Sequence, residues 1–102
     1  MNSSTQDWRV ECKPSGRDGY VFYYEGSQEL PFYWEYGGGN VVVIARFDEP
    51  DKFAVRYPWA AGRRREILER LAQELIRQQA PSCTAEIDEH GLCICIKEKV
   101  DA

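Results

Sequence analysis

At 102 residues the chain has the length of one domain and can bury a core without disulfides or a metal. Its 17 acidic residues outnumber 13 Lys and Arg, giving a net charge of −4. That balance argues against the broad cationic footprint of a general nucleic-acid binder, and an apolar fraction of 43% excludes a disordered tail.

The first seven residues, MNSSTQD, have neither the basic start nor the apolar run of a secretory signal. No stretch approaches the roughly 20 apolar residues that span a bilayer. The expectation is a cytoplasmic protein with no membrane segment, whose four cysteines (Cys12, Cys83, Cys93, Cys95) are thiols.

Residues 1–6 are polar and expected to be disordered. Trp8 to Cys12 alternates weakly, as an edge strand does. Lys13 to Gly19 is turn chemistry, rich in Pro, Ser and Gly. Tyr20 to Glu25 (YVFYYE) has the aromatic and β-branched content of a strand. Gly26-Ser27 suits a type II′ turn into a second strand, Glu29 to Tyr36, where Pro31 demands an open edge or a strand start. Gly37 to Asn40 reverses the chain again. Val41 to Phe47 (VVVIARF) is apolar at almost every position, which predicts a central strand. Asp48 to Asp51 breaks it, and Lys52 to Tyr57 reads as a loop or a short irregular strand.

The strongest period lies in Ala60 to Gln79. Ile67, Leu68, Leu71, Ala72, Leu75 and Ile76 fall on one stripe of a 3.6-residue helix, with Glu66, Glu69, Arg70, Gln73 and Arg77 opposite. Pro58 suits a first helical position, Gly62 weakens the opening turn, and Pro81 ends the helix. Cys83 to Asp88 and Leu92 to Lys97 complete the set as strands about a Glu89-His90-Gly91 turn. In the last strand Leu92, Ile94 and Ile96 face one way, and Cys93, Cys95 and Lys97 the other. The fold expected is α+β: an antiparallel sheet of four to five strands, in chain order β-β-β-α-β-β, with one long helix across one face, in a single domain covering 1–102.

Four constellations are candidates for function. The triplet Arg63-Arg64-Arg65 sits at the helix start, where cations oppose the macrodipole. Arg64 continues the apolar stripe, so it either reaches an anion beside free backbone N–H groups or pairs with a strand carboxylate such as Glu35. Arg65 with Glu69, Glu66 with Arg70 and Arg70 with Glu74 are spaced for i,i+4 pairing.

The second constellation is the aromatic hairpin. Tyr20, Phe22 and Tyr24 share one strand face, with Val21 and Tyr23 on the other. Leu30, Phe32, Trp34 and Tyr36 share a face of the next strand, with Tyr33 and Glu35 opposite. One helix covers one sheet face, so the rings on the other face stay wet, meet a partner, or are covered by Trp8, Phe53 and Trp59 folding back as a lid.

The third is Cys93-x-Cys95, with Cys83 on the neighbouring strand and Cys12 or His90 as further ligands. Its spacing is wrong for structural zinc, and small buried thiols are the expectation. The fourth is His90, a lone histidine in a turn that has no nucleophile or carboxylate set to work with. No metal, cofactor or catalytic set is implied by these residues.

These readings yield two functional expectations and a weaker third. The first is a non-catalytic protein-interaction module, a homodimer joined through its aromatic sheet face. The second is an anion- or ligand-binding domain, conceivably enzymatic, with a site at the helix start. The candidate binding residues are Arg63, Arg64, Tyr24, Tyr33, Glu35 and Tyr57. The third is RNA binding through the basic helix start and exposed tyrosines, which few flanking basic residues favour.

Overall fold

The structure, a computed structural model, describes residues 7–16 and 18–99. The expectation of disorder over residues 1–6 lies outside them. Six antiparallel strands form one sheet in the order β1-β2-β3-β4-β6-β5. They are β1 (Trp8–Ser15), β2 (Asp18–Glu25), β3 (Gln28–Tyr36), β4 (Val41–Arg46), β5 (Cys83–Asp88) and β6 (Cys93–Glu98). The long helix, α2 (Arg64–Gln79), covers one face, so the expected α+β architecture is present with six strands in place of four to five.

The additional strand is β1. It is an edge strand, as its weak alternation suggests, but runs on to Ser15 through residues that read as turn. Gly26 takes a φ of +59° in the β2–β3 turn, the conformation for which a type II′ turn selects glycine.

A short helix, α1 (Pro50–Arg56), replaces the loop or irregular strand expected over Lys52 to Tyr57. Its start is locally encoded. The Glu49 side chain accepts from the Lys52 amide at 2.9 Å, and Pro50 opens the first turn. The long helix is also divided. Pro58–Arg63 is a 3₁₀ turn containing Gly62, and the α-helix proper begins at Arg64. It stops where expected, with Ala80 bonded back to the Ile76 carbonyl ahead of Pro81.

The core lies between α2 and the inner sheet face. Val10, Val21, Tyr23, Leu30, Phe32, Trp34, Val43, Ala45, Ile94 and Ile96 meet Ile67, Leu68, Leu71, Ala72 and Leu75. Leu92 does not join the last strand. It sits in the preceding turn with a φ of +55°, and its carbonyl accepts from the Phe47 amide. The sheet curls so that both of its edges reach α2. On the β1 side, Gln78 donates to the Val10 carbonyl at 3.0 Å, which satisfies part of an otherwise open strand edge.

Among the described residues no helix is long and apolar enough to cross a membrane.

Candidate functional site

Strand alternation sorts the aromatic residues onto two faces. Val21 and Tyr23 of β2, with Leu30, Phe32 and Trp34 of β3, point at the helix and are buried. Tyr20, Phe22 and Tyr24 therefore share the outer face with Pro31, Tyr33 and Glu35, since Tyr20 pairs with Tyr33 and Phe22 with Pro31. On that face the rings form a ladder. Centroids are 5.8 Å apart for Tyr33–Tyr20, 6.2 Å for Tyr20–Phe22 and 6.1 Å for Phe22–Tyr24. Tyr20 is 50% exposed.

Cations from the neighbouring strand lie over the ladder. The Arg9 guanidinium is 4.1 Å from the Tyr24 centroid, and the Lys13 ammonium is 5.0 Å from that of Phe22. Acidic groups complete the surface. Tyr33 donates to Asp18 at 2.8 Å, and Arg46 pairs with Glu35 at 2.9 Å. The Asp18 bond holds the Tyr33 phenol above its ordinary value.

The three residues expected as a lid pack elsewhere. Trp8 stacks on Tyr23, on the helix side, with centroids 5.9 Å apart. Phe53 is fully buried in the core, and Trp59 packs against that core.

The helix start is an ion-pair network. Arg63 donates twice to Glu25, at 2.7 and 3.0 Å, and once to Glu66 at 2.9 Å. Tyr23 donates to Glu25 at 2.6 Å, and Arg70 donates to the Tyr23 oxygen at 2.8 Å while lying over the Trp8 ring. Arg64 is buried. It donates to both Glu89 oxygens at 3.0 and 3.1 Å and to the Asp48 carbonyl at 2.9 and 3.2 Å, with its guanidinium 5.0 Å from the Phe47 centroid. An internal salt bridge is thus the role of Arg64, but its partner is Glu89 and not Glu35. Both guanidinium groups are engaged within the chain, which removes the support for an anion site there. The pairs Arg65–Glu69 and Arg70–Glu66 form as spaced; Glu74 instead pairs with Arg77 at 2.8 Å.

The six sequence candidates do not converge. Tyr24, Tyr33 and Glu35 lie on the outer face; Arg63 and Arg64 lie at the helix start. Tyr33 and Tyr57 do meet, across a cleft of about 230 Å³ at the end of the sheet beneath α1. Its cations are Arg46 and Arg56, which sequence reasoning passed over. Each is paired, Arg46 with Glu35 and Arg56 with Asp48 at 2.9 Å. The missed signal was local: Arg56 is the last residue of α1, in a stretch that reads as a loop or a short irregular strand, so its direction was not legible.

The cysteines do not converge either. Cys93 and Cys95 share a face of β6 with sulfurs 3.6 Å apart, and burial pushes the Cys93 thiol up to about 11. Cys83 lies in the core beneath the helix, on the opposite sheet face, and not beside them. His90 occupies the β5–β6 turn, where its amide donates to Asp88 at 3.0 Å.

The Glu25 network gives acid sensitivity a named source. The Arg63 hydrogen bonds, foremost, and that of Tyr23 hold the Glu25 carboxyl below its ordinary 4.5. A carboxylate depressed in the fold contributes stability above that value and loses it as pH falls through the lower, folded-state one. The urea midpoint is therefore expected to fall as pH drops below about 4.5, and Glu25→Gln to flatten part of that fall. An identical pH profile for wild type and Glu25→Gln would exclude Glu25 as a source.

No protein-family model, curated protein or solved structure matches the chain.

Proposed function

We propose that the protein is a protein-interaction module that works as a homodimer, joined through the outer face of β1, β2 and β3. What carries this reading is the four-ring ladder of Tyr33, Tyr20, Phe22 and Tyr24. Aromatic rings contribute large apolar areas at low entropic cost and are enriched where proteins meet. Isolated exposed rings are ordinary; a contiguous row flanked by cations and carboxylates is the composition of an apolar interface centre with a polar rim.

A second copy is the occupant this surface fits best. Arg9 and Lys13, with Glu11 between them, stand on one side of the rings, and Glu29 and the Arg46-paired Glu35 stand on the other. A two-fold axis lying in the interface and parallel to the strands sets Arg9 and Lys13 of each copy opposite Glu29 and Glu35 of the other, which is how an isologous interface satisfies itself.

Sedimentation equilibrium from 1 to 100 µM tests the reading. Wild type is expected to approach twice the mass of the 11.8 kDa chain over roughly that range. The double variant Phe22→Thr/Tyr24→Thr keeps strand propensity while removing two rings. Truncation at an interface centre costs about 2 kcal/mol or more, which weakens dimerisation roughly 30-fold or beyond. Wild type that stays monomeric throughout, or a double variant that dimerises as wild type does, would remove the support for this reading.

A further inference from the structure

We infer that Cys93 and Cys95 form a reversible dithiol–disulfide couple, a modification site on β6 that exchanges with low-molecular-weight disulfides. Both side chains leave β6 on the face away from the helix, and their sulfurs lie 3.6 Å apart. The other two cysteines stand outside the couple. Cys83 is in the core on the opposite sheet face, and Cys12 lies on β1, with β2, β3 and β4 between it and β6.

The strand sets how stable such a bridge can be. Two steps along a strand cover about 6.4–6.8 Å. Disulfides join Cα atoms up to about 6.8 Å apart and settle nearer 5.5–6 Å. A bridge across Ile94 is therefore within reach, but at the long end of the range, and closing it draws β6 in about Ile94. That residue is fully buried in the core, and β4 and β5 hold β6 from both sides. The fold thus resists the bridge, which places it with the readily reduced disulfides and not with the permanent structural ones.

The two thiols are unequal, and the inequality gives each a role. Cys93 is buried under the β5–β6 turn, where a Cβ on Gly91 would stand 3.6 Å from its sulfur. Cys95 is partly exposed. Cys95 is therefore the sulfur that an incoming disulfide meets, and Cys93 the one that resolves the adduct. Burial foremost, then the Cys95 sulfur, pushes the Cys93 thiol up to about 11; Asp88 adds to that push and Arg46, on the facing strand, opposes it. Turning Cys95 into a mixed disulfide removes the share due to its own thiol, so Cys93 ionises more readily once there is an adduct to resolve.

The exchange takes two steps. The Cys95 sulfur loses its proton and attacks one sulfur of the small disulfide, whose S–S bond breaks; the displaced thiolate takes up a proton. The Cys93 sulfur then loses its proton and attacks the Cys95 sulfur, and the second small thiolate leaves and is protonated in turn. Two electrons pass from the cysteine pair to the small disulfide, which is released as two thiols.

The test treats the reduced full chain with millimolar glutathione disulfide, quenches with acid and alkylates the remaining thiols. A digest that cuts after Glu89 separates Cys83 from the pair. In wild type the peptide carrying Cys93 and Cys95 is expected to lose two hydrogens and resist alkylation. In Cys93→Ser the resolving sulfur is gone, and a glutathione adduct is expected to accumulate on Cys95. The wild-type adduct should stay below about a tenth of that level, because the neighbouring sulfur acts intramolecularly. Should Cys93→Ser fail to fold, Cys93→Ala carries the same expectation. Millimolar reduced glutathione is expected to restore both thiols of the oxidised wild type.

Four results would each overturn the assignment: a pair that stays unmodified, a lasting wild-type adduct with no bridge, a bridge that forms only in urea, or one that reduced glutathione cannot open. Both sulfurs belong to one strand of one chain, so none of these outcomes bears on the dimer reading.

Discussion

Leu71→Ala is expected to destabilise the fold by about 2–5 kcal/mol, the range for a fully buried leucine whose surroundings collapse only in part. Leu71 is completely inaccessible, midway along the apolar stripe of α2. It belongs to the cluster in which helix residues meet the inner sheet face, so its loss opens a void inside the contact that joins the two layers. A domain of this size has roughly 5–15 kcal/mol of stability in all. The melting temperature should therefore fall by about 10 °C or more, at 4–8 °C for each kcal/mol. Leu71→Met, which conserves volume, should cost less than about 1.5 kcal/mol. A wild-type denaturation midpoint in Leu71→Ala would show that the helix does not press on the sheet through this residue.

The second large effect is at the β3–β4 reversal. A Cβ added at Gly37 would lie 2.5 Å from the Val41 carbonyl oxygen and 2.6 Å from Val41 Cγ1. The first of these is backbone, so relief requires the strand itself to move. The reversal is also hydrogen-bonded, with Val41 donating to the Gly38 carbonyl and Gly37 to that of Val42, both at 3.1 Å. Gly37→Ala is expected to cost about 1–3 kcal/mol, the range for forced overpacking. Gly38→Ala is the matched control. Nothing lies within 4 Å of its added Cβ and its φ is not positive, so its effect should stay within about 0.5 kcal/mol. Urea midpoints for the pair decide the matter, since equal midpoints would contradict the close approach at Gly37.

How far the sequence carried these conclusions differs by element. The α2 stripe was legible because six apolar residues repeat at helical spacing from Ile67 to Ile76, and Pro81 marks the helix end. The β2–β3 hairpin was legible because Gly26 can take a positive φ without strain and the flanking residues are aromatic or β-branched. By contrast, α1 has seven residues, too few for a period to emerge from its single buried Phe53; its signal was the Glu49-Pro50 start.

The Val41–Arg46 strand was visible as a strand but not in register. Its run of valines and isoleucine is apolar on both faces, so alternation could not reveal the bulge at Val42. At the candidate site, the helical period placed Arg64 on the inner stripe. Its partner, Glu89, lies 25 residues away in a turn whose position depends on the whole β5–β6 pairing. Glu35, the strand carboxylate expected as its partner, is committed by the sheet to Arg46 instead. Long-range partners of this kind are set by topology, and local spacing is silent about them.

The proposed homodimer would join two copies through the ring-bearing outer face, and isotope-filtered NOE spectroscopy on a mixture of ¹³C-labelled and unlabelled chains reads that surface directly. The account predicts intermolecular contacts to the rings of Tyr20, Phe22, Tyr24 and Tyr33 and none to the α2 stripe. Intermolecular contacts confined to another surface, or none at millimolar protein, would contradict it.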